Sequence, residues 1–200
     1  MTEARIGRVV AACLDQAIAD ELPLRRDFYE HWLRSETLRD GAIGQAPLTA
    51  VLGFLRTEGE GCGRVMARAG TLAASWSLDS KSAGRLRLLR WLPRPLRLRA
   101  AMRLLRGVVR ETSGASRATA RIRRQEARIE VADSLFCASR ERPPSPLCAF
   151  YLAAAVEVLR RLGFAAEGRV ERCHAIERGA CVLTLQLTAA AVAPDPAMAA

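Results

Sequence analysis

The stretch GRVERCHAIERGACVLTLQL (168–187) decides how this chain folds. It reads as two short strands doubled over a tight turn, with Cys173 and Cys181 on opposite arms and seven residues between them. Along a strand, side chains two apart share a face. Cys181 therefore shares a face with Leu183, Leu185 and Leu187, and a leucine face is a core face. By the same rule Glu171 and Cys173 point the same way. Pairing of the arms around 175–179 sets Cys173 opposite Cys181, where Cβ atoms lie about 4.5–5.5 Å apart. Glu171 is then a carboxylate turned toward an apolar layer, and such a group needs a partner.

Working outward, LCAFYLAAAVEVLRRLG (147–163) is an apolar helix closed by Gly163. Ser145 suits its N-cap and Pro146 its first position, which puts Cys148 in the first turn. RATARIRR (117–124) and ARIEVADSLF (127–136) alternate like half-exposed strands. Before them the spacing is helical. EARIGRVVAACLDQAIADE (3–21) is one helix, and Pro23 opens a second through DFYEHWLRSETL (27–38). Pro47 opens a third, LTAVLGFLRTEG (48–59), stopped by Gly59, Gly61 and Gly63. RVMARAGTLAASWSL (64–78) is a fourth. GEGCGRVM (59–66) reads as the turn between the last two. Pro93 and Pro95 imply a short turn before them and a helix after them. Helices followed by strand, strand, helix, strand, strand predict an α+β fold with an antiparallel sheet packed against helices. We expect one domain over 1–188, helical in 1–111 and sheet-bearing in 117–188, with 189–200 a loose tail.

Three thiols and a carboxylate converge in this scheme. Thiols at helix N-termini ionise more easily, and the thiolate is the metal-binding form. Cys148, Cys173 and Cys181 with Glu171 make a tetrahedral zinc set. Cys137, in SLFCAS, and His174 are reserve ligands. The competing reading is that these cysteines are ordinary core residues, since cysteine is among the most buried residue types. A Cys173–Cys181 disulfide is sterically allowed but disfavoured in a reducing compartment.

Two hundred residues, half of them hydrophobic, suffice for a sizeable core. No apolar run approaches the roughly 20 residues of a membrane span, and MTEARIGRVV does not read as a signal peptide, so a cytoplasmic protein is expected. The net charge is +10, and nine arginines fall between residues 85 and 110. A solvated helix face is the commoner explanation of such a stretch, and contact with a membrane surface or an acidic ligand the alternative. Nucleic acid is the least favoured partner, because no DNA-binding motif accompanies the charge. No G-x-G-x-x-G or P-loop is present, and His31 and His174 offer no Ser-His-Asp arrangement. Nothing in the sequence marks a bound redox cofactor.

A cysteine opening a helix, a strand VERC (170–173) that is similar to VExxC, and a C-x7-C hairpin together resemble the 4-vinyl reductase domain, best over residues 117–187 and more weakly over 51–76. That family includes bacteriochlorophyll 4-vinyl reductase proteins and the sensor domains of phenol-responsive regulators. Its fold is shared with subunits of the TRAPP trafficking complex. The resemblance implies a small hydrophobic or tetrapyrrole ligand and a role in or beside bacteriochlorophyll synthesis. The alternatives are an aromatic-compound sensor without an output module and a TRAPP-like adaptor. It also implies a zinc site at Cys148, Glu171, Cys173 and Cys181, and a pocket for which Phe54, Met66, Leu72, Trp76, Phe150 and Tyr151 are the candidate liners. A homodimer is one candidate assembly, the oligomeric state being left open by the sequence.

Overall fold

The computed structural model describes residues 7–33, 45–80, 83–137, 146–177 and 179–189. Expectations placed on 34–44, on Ser145 and on the tail from 190 lie outside them. Among the described residues the fold is α+β, with the helices in the N-terminal half and a four-stranded antiparallel sheet at the C-terminal end.

The helices are α1 (Arg8–Glu21), α2 (Arg26–Leu33), α3 (Gln45–Thr57), α4 (Glu60–Asp79), α5 (Ala83–Arg90), α6 (Arg94–Thr112) and α7 (Ala149–Arg161). The strands are β1 (Arg117–Arg123), β2 (Glu126–Ala132), β3 (Phe164–Arg172) and β4 (Cys181–Ala189), in the order β1-β2-β4-β3. One helical detail differs from expectation. The turn between α3 and α4 is confined to Glu58 and Gly59, where φ is +59°, and Gly61 and Gly63 belong to α4. Gly61 is small for a packing reason, because a Cβ there would come within 3.1 Å of the Leu22 side chain. Trp91 and Leu92 form the short turn expected before Pro93, and α5, which ends at Arg90, is a further helix ahead of it, as good helix formers such as leucine and arginine favour.

One face of the sheet carries Ala127, Ile129, Val131, Cys181, Leu183, Leu185 and Leu187, all buried. The helix α7 lies on this face, closest to β3, and α6 lies beside it against β1. Beyond α7 comes α4, and beyond α4 comes α1. Two glycines set the layer spacing. On α4, a Cβ at Gly70 would meet the carbonyl of Phe150 on α7 and lie 3.0 Å from its Cα. On β3, a Cβ at Gly168 would lie 3.0 Å from Leu152 of α7. Gly163 ends α7 at φ +76°, as its position predicts, and turns the chain into β3.

A buried carboxylate ties the layers from the side. Glu157 of α7 accepts hydrogen bonds from Ser75 of α4 (3.0 Å), from Arg160 and from Arg161. Burial pushes its carboxyl up, but these donors outweigh burial and hold it below its ordinary value. Arg161 continues to Asp79 at the end of α4, 2.9 Å away.

Candidate metal centre

Four segments meet at one end of the sheet. A single 3-10 turn, Leu135–Cys137, follows β2 and brings Cys137 inward. Cys148 is the N-cap of α7, one position earlier than a first-turn residue. Cys173 ends the β3 arm of the hairpin, and Cys181 begins β4 opposite Val131. The four sulfurs lie within 4.8 Å of one another, and all four residues are buried. Individual separations are 3.3 Å for Cys137–Cys148, 3.6 Å for Cys137–Cys173, 3.4 Å for Cys137–Cys181 and 3.4 Å for Cys148–Cys173. These are too long for disulfides, and the cysteines are free.

The spacing suits a tetrahedral ion. Metal–sulfur bonds of about 2.3 Å at tetrahedral angles put sulfurs about 3.8 Å apart. The separations fall a few tenths short of that edge, so small rotamer adjustments open the set to it. Surrounding contacts are of the kind that orient ligand sulfurs. The His174 backbone N–H donates to Cys181 Sγ at 3.4 Å. The Phe136 ring, beside Cys137, lies 4.6 Å from Phe150 and 5.5 Å from Tyr151, which fastens the turn bearing Cys137 to the helix bearing Cys148.

The four thiols also shift one another's ionisation. Contact with Cys137, then Cys148 and Cys181, holds the Cys173 thiol far below the ordinary thiol range, and the Ala175 N–H adds to this. Cys137 is lowered too, first through Cys148, with Ser134 contributing. Cys148 and Cys181 are pushed up, in both cases first by the contact with Cys137. Four buried sulfurs cannot all carry negative charge without a compensating cation. Cys13, buried in the helical part, is pushed up to about 12 by burial alone, which describes an inert thiol.

Cys148, Cys173 and Cys181 thus come together as the hairpin register implied, and Cys137 stands as the fourth member. Glu171 does not join them, which corrects the expected ligand set. The cause is a bulge. Val170 pairs with Leu183, but Arg172 pairs with Val182, so Glu171 is an extra residue in β3. An inserted residue breaks the two-residue alternation. Before it, Phe164, Ala166, Gly168 and Val170 pair with the inward residues of β4, and after it the inward phase passes to Cys173. Glu171 is left on the outer face, 3.2 Å from Arg128 of β2. His174 is also occupied elsewhere, its Nδ1 accepting from the Gly179 N–H at 3.0 Å across the hairpin loop. We expect Glu171→Gln to leave metal stoichiometry unchanged and to shift stability by less than about 1 kcal/mol, as a half-exposed ion pair does. Elemental analysis and a thermal melt read both.

A signal for Cys137 was present in the sequence. Four of the six cysteines fall in the sheet-bearing part, as C-x10-C followed by C-x7-C. The six candidate pocket residues separate. Met66, Phe150 and Tyr151 are fully buried in the core. Leu72 is partly buried on α4, and Trp76 is half-exposed there. Phe54 opens to the surface in an aromatic group, with Phe28 at 5.0 Å and Trp32 at 5.7 Å. Among the described residues, no helix is long and apolar enough to cross a membrane. Comparison with protein-family models and with curated proteins finds no match to this chain.

Proposed function

We propose that this protein is a zinc-stabilised ligand-binding module resembling the 4-vinyl reductase domain, with the four-cysteine centre as its structural metal site. The observation that carries the metal reading is the completeness of the sulfur set. Four protein ligands leave no open position for water or substrate, so the centre serves architecture rather than turnover. Thiolate donors in a tetrahedron select zinc or iron over magnesium or calcium. Joining β2, β4, the hairpin and the start of α7, the ion would hold the helix on the sheet.

The ligand, a small hydrophobic or tetrapyrrole molecule, follows from the resemblance in the sheet-bearing part. With a closed metal site and no nucleotide fingerprint, binding is a better reading than autonomous reduction. An accessory role in bacteriochlorophyll synthesis or the sensing of aromatic compounds would both use such a module. A TRAPP-like adaptor is the second reading, favoured by the surface-opening group of Phe28, Trp32 and Phe54.

The test is titration of the metal-loaded protein with protochlorophyllide-type pigments and with simple phenols, followed by fluorescence quenching. Saturable binding of one class at one site per chain is the expected result. No saturation with either class, together with a stable complex with a protein partner, would replace this reading with the adaptor.

A further inference from the structure

We propose that the corner between α5 and α6 docks this protein on an anionic membrane surface. The proposal is independent of the ligand and of the metal. It starts from a mismatch. A solvated basic face explains exposed arginines, but it does not explain exposed apolar side chains among them. Trp91 is 87% exposed, Leu88 70% and Leu96 43%. All three sit at one corner, where α5 ends, Pro93 turns the chain and α6 begins.

The corner is built, not frayed. The Trp91 N–H donates to the Leu88 carbonyl at 3.2 Å. Arg90 Nε donates to the Arg161 carbonyl at the end of α7, 2.9 Å away. Arg97 Nη1 donates to the Arg90 carbonyl at 3.1 Å, and its guanidinium lies 4.6 Å from the centre of the Phe164 ring. These two arginines secure the corner, and it holds Trp91 outward.

The remaining arginines form the field around it. From residue 80 to residue 110 the chain has no acidic residue. On α6 the buried apolar positions are Leu98, Ala101, Met102, Leu105, Val108 and Val109, which leaves Arg99, Arg103, Arg106 and Arg110 along the opposite ridge. Arg99, Arg103 and Arg106 also border a groove of about 350 Å³ floored by Met102, Ala120 and Ile122. The result is an apolar tip of one tryptophan and two leucines at the end of a cationic ridge. Tryptophan settles at the level of lipid headgroups, leucine enters the acyl boundary, and arginine reaches phosphates while its stem stays apolar. Single-stranded nucleic acid is the rival polyanion, but it is held by successive aromatic platforms, and this corner offers one ring between aliphatic side chains.

Flotation of the full chain with vesicles tests the proposal. One set is phosphatidylcholine alone, and the other contains one-third phosphatidylglycerol. We expect binding only to the anionic set. Leu88→Ala with Trp91→Ala should weaken it at least about tenfold through lost apolar burial. Arg99→Gln, Arg103→Gln and Arg106→Gln together should weaken it about a hundredfold, near fivefold per arginine. All these side chains are exposed, so circular dichroism and metal content should match the parent protein. An independent readout is a Trp32→Phe, Trp76→Phe protein, in which the fluorescence of Trp91 should shift blue on anionic vesicles. Absence of vesicle binding, equal binding to neutral vesicles, or an unshifted Trp91 overturns the proposal. So does tight binding of a single-stranded oligonucleotide that the Leu88 and Trp91 substitutions leave intact while anionic vesicles fail to bind.

Discussion

Cys173→Ser is expected to release the metal and lower the melting temperature by about 8–16 °C. A structural zinc contributes folding energy outright, about 10–16 kcal/mol of apparent binding in small finger peptides at neutral pH. This chain has an apolar core that does not depend on the metal, so loss of the ion should weaken the fold without abolishing it. A loss of about 4 kcal/mol, at roughly 2–4 °C per kcal/mol for a chain of this size, gives that range. Cys137→Ser should behave the same way, since Cys137 touches each of the other three sulfurs. The control is Cys13→Ser. It buries a hydroxyl in an apolar site and costs about 1–3 kcal/mol, yet it should keep the metal. Stoichiometry therefore separates the two cases where stability alone would not. A strong chelator added to the parent protein should reproduce the Cys173→Ser melt. If the purified protein carries no metal and the Cys173 and Cys13 variants melt alike, the four thiols are ordinary core.

Gly70→Val is expected to cost more than about 3 kcal/mol, the largest effect outside the metal centre. An unhindered helical glycine costs about 1 kcal/mol relative to alanine, so propensity alone would make a substitution stabilising. Here the new Cβ meets the Phe150 backbone, which cannot rotate aside as a side chain would. Overpacking of this kind costs about 1–3 kcal/mol even for small additions, and valine adds two further carbons. Since Phe150 lies two residues after Cys148, pushing α7 away from α4 should weaken metal retention as well. Gly53→Ala gives the opposite sign, because nothing lies within 4 Å of a Cβ at that position of α3. Denaturant melts of the two variants should bracket the parent. A neutral Gly70→Val would mean that the α4–α7 contact is looser than its geometry.

The strands were legible because their two-residue alternation is strong, and the final hairpin named its own core face through Leu183, Leu185 and Leu187. Its register was legible too, which is why Cys173 and Cys181 meet. Glu171 was misread because a bulge leaves no mark in side-chain chemistry. One inserted residue reverses every later side chain, and nothing in VERC says where the insertion falls. Cys137 was underweighted because it reaches the site through a 3-10 turn rather than a regular element. The helical glycines misled for the opposite reason. Gly61 and Gly63 resemble stops, but α4 runs through both. Of the candidate pocket, only the burial of Met66, Phe150 and Tyr151 could be expected, because which core residues face a ligand is set by layer spacing, and residues such as Gly70 set that spacing.

The four sulfurs of the candidate metal centre are spread along the chain, with Cys137 and Cys181 44 residues apart. That separation imposes a timetable on maturation. Because the sulfurs come from a turn, a helix start and a hairpin, an ion held by all four would engage only after α7 has docked on the sheet, unlike the local loop of a compact finger. During synthesis the first three sulfurs emerge before the hairpin can close, and only the arrival of Cys181 completes the set. Metal uptake at the proposed site would then come near the end of folding. A chain that reaches it with β3 out of phase would present three thiols and no fourth, and would remain open to oxidation until the pleat is corrected.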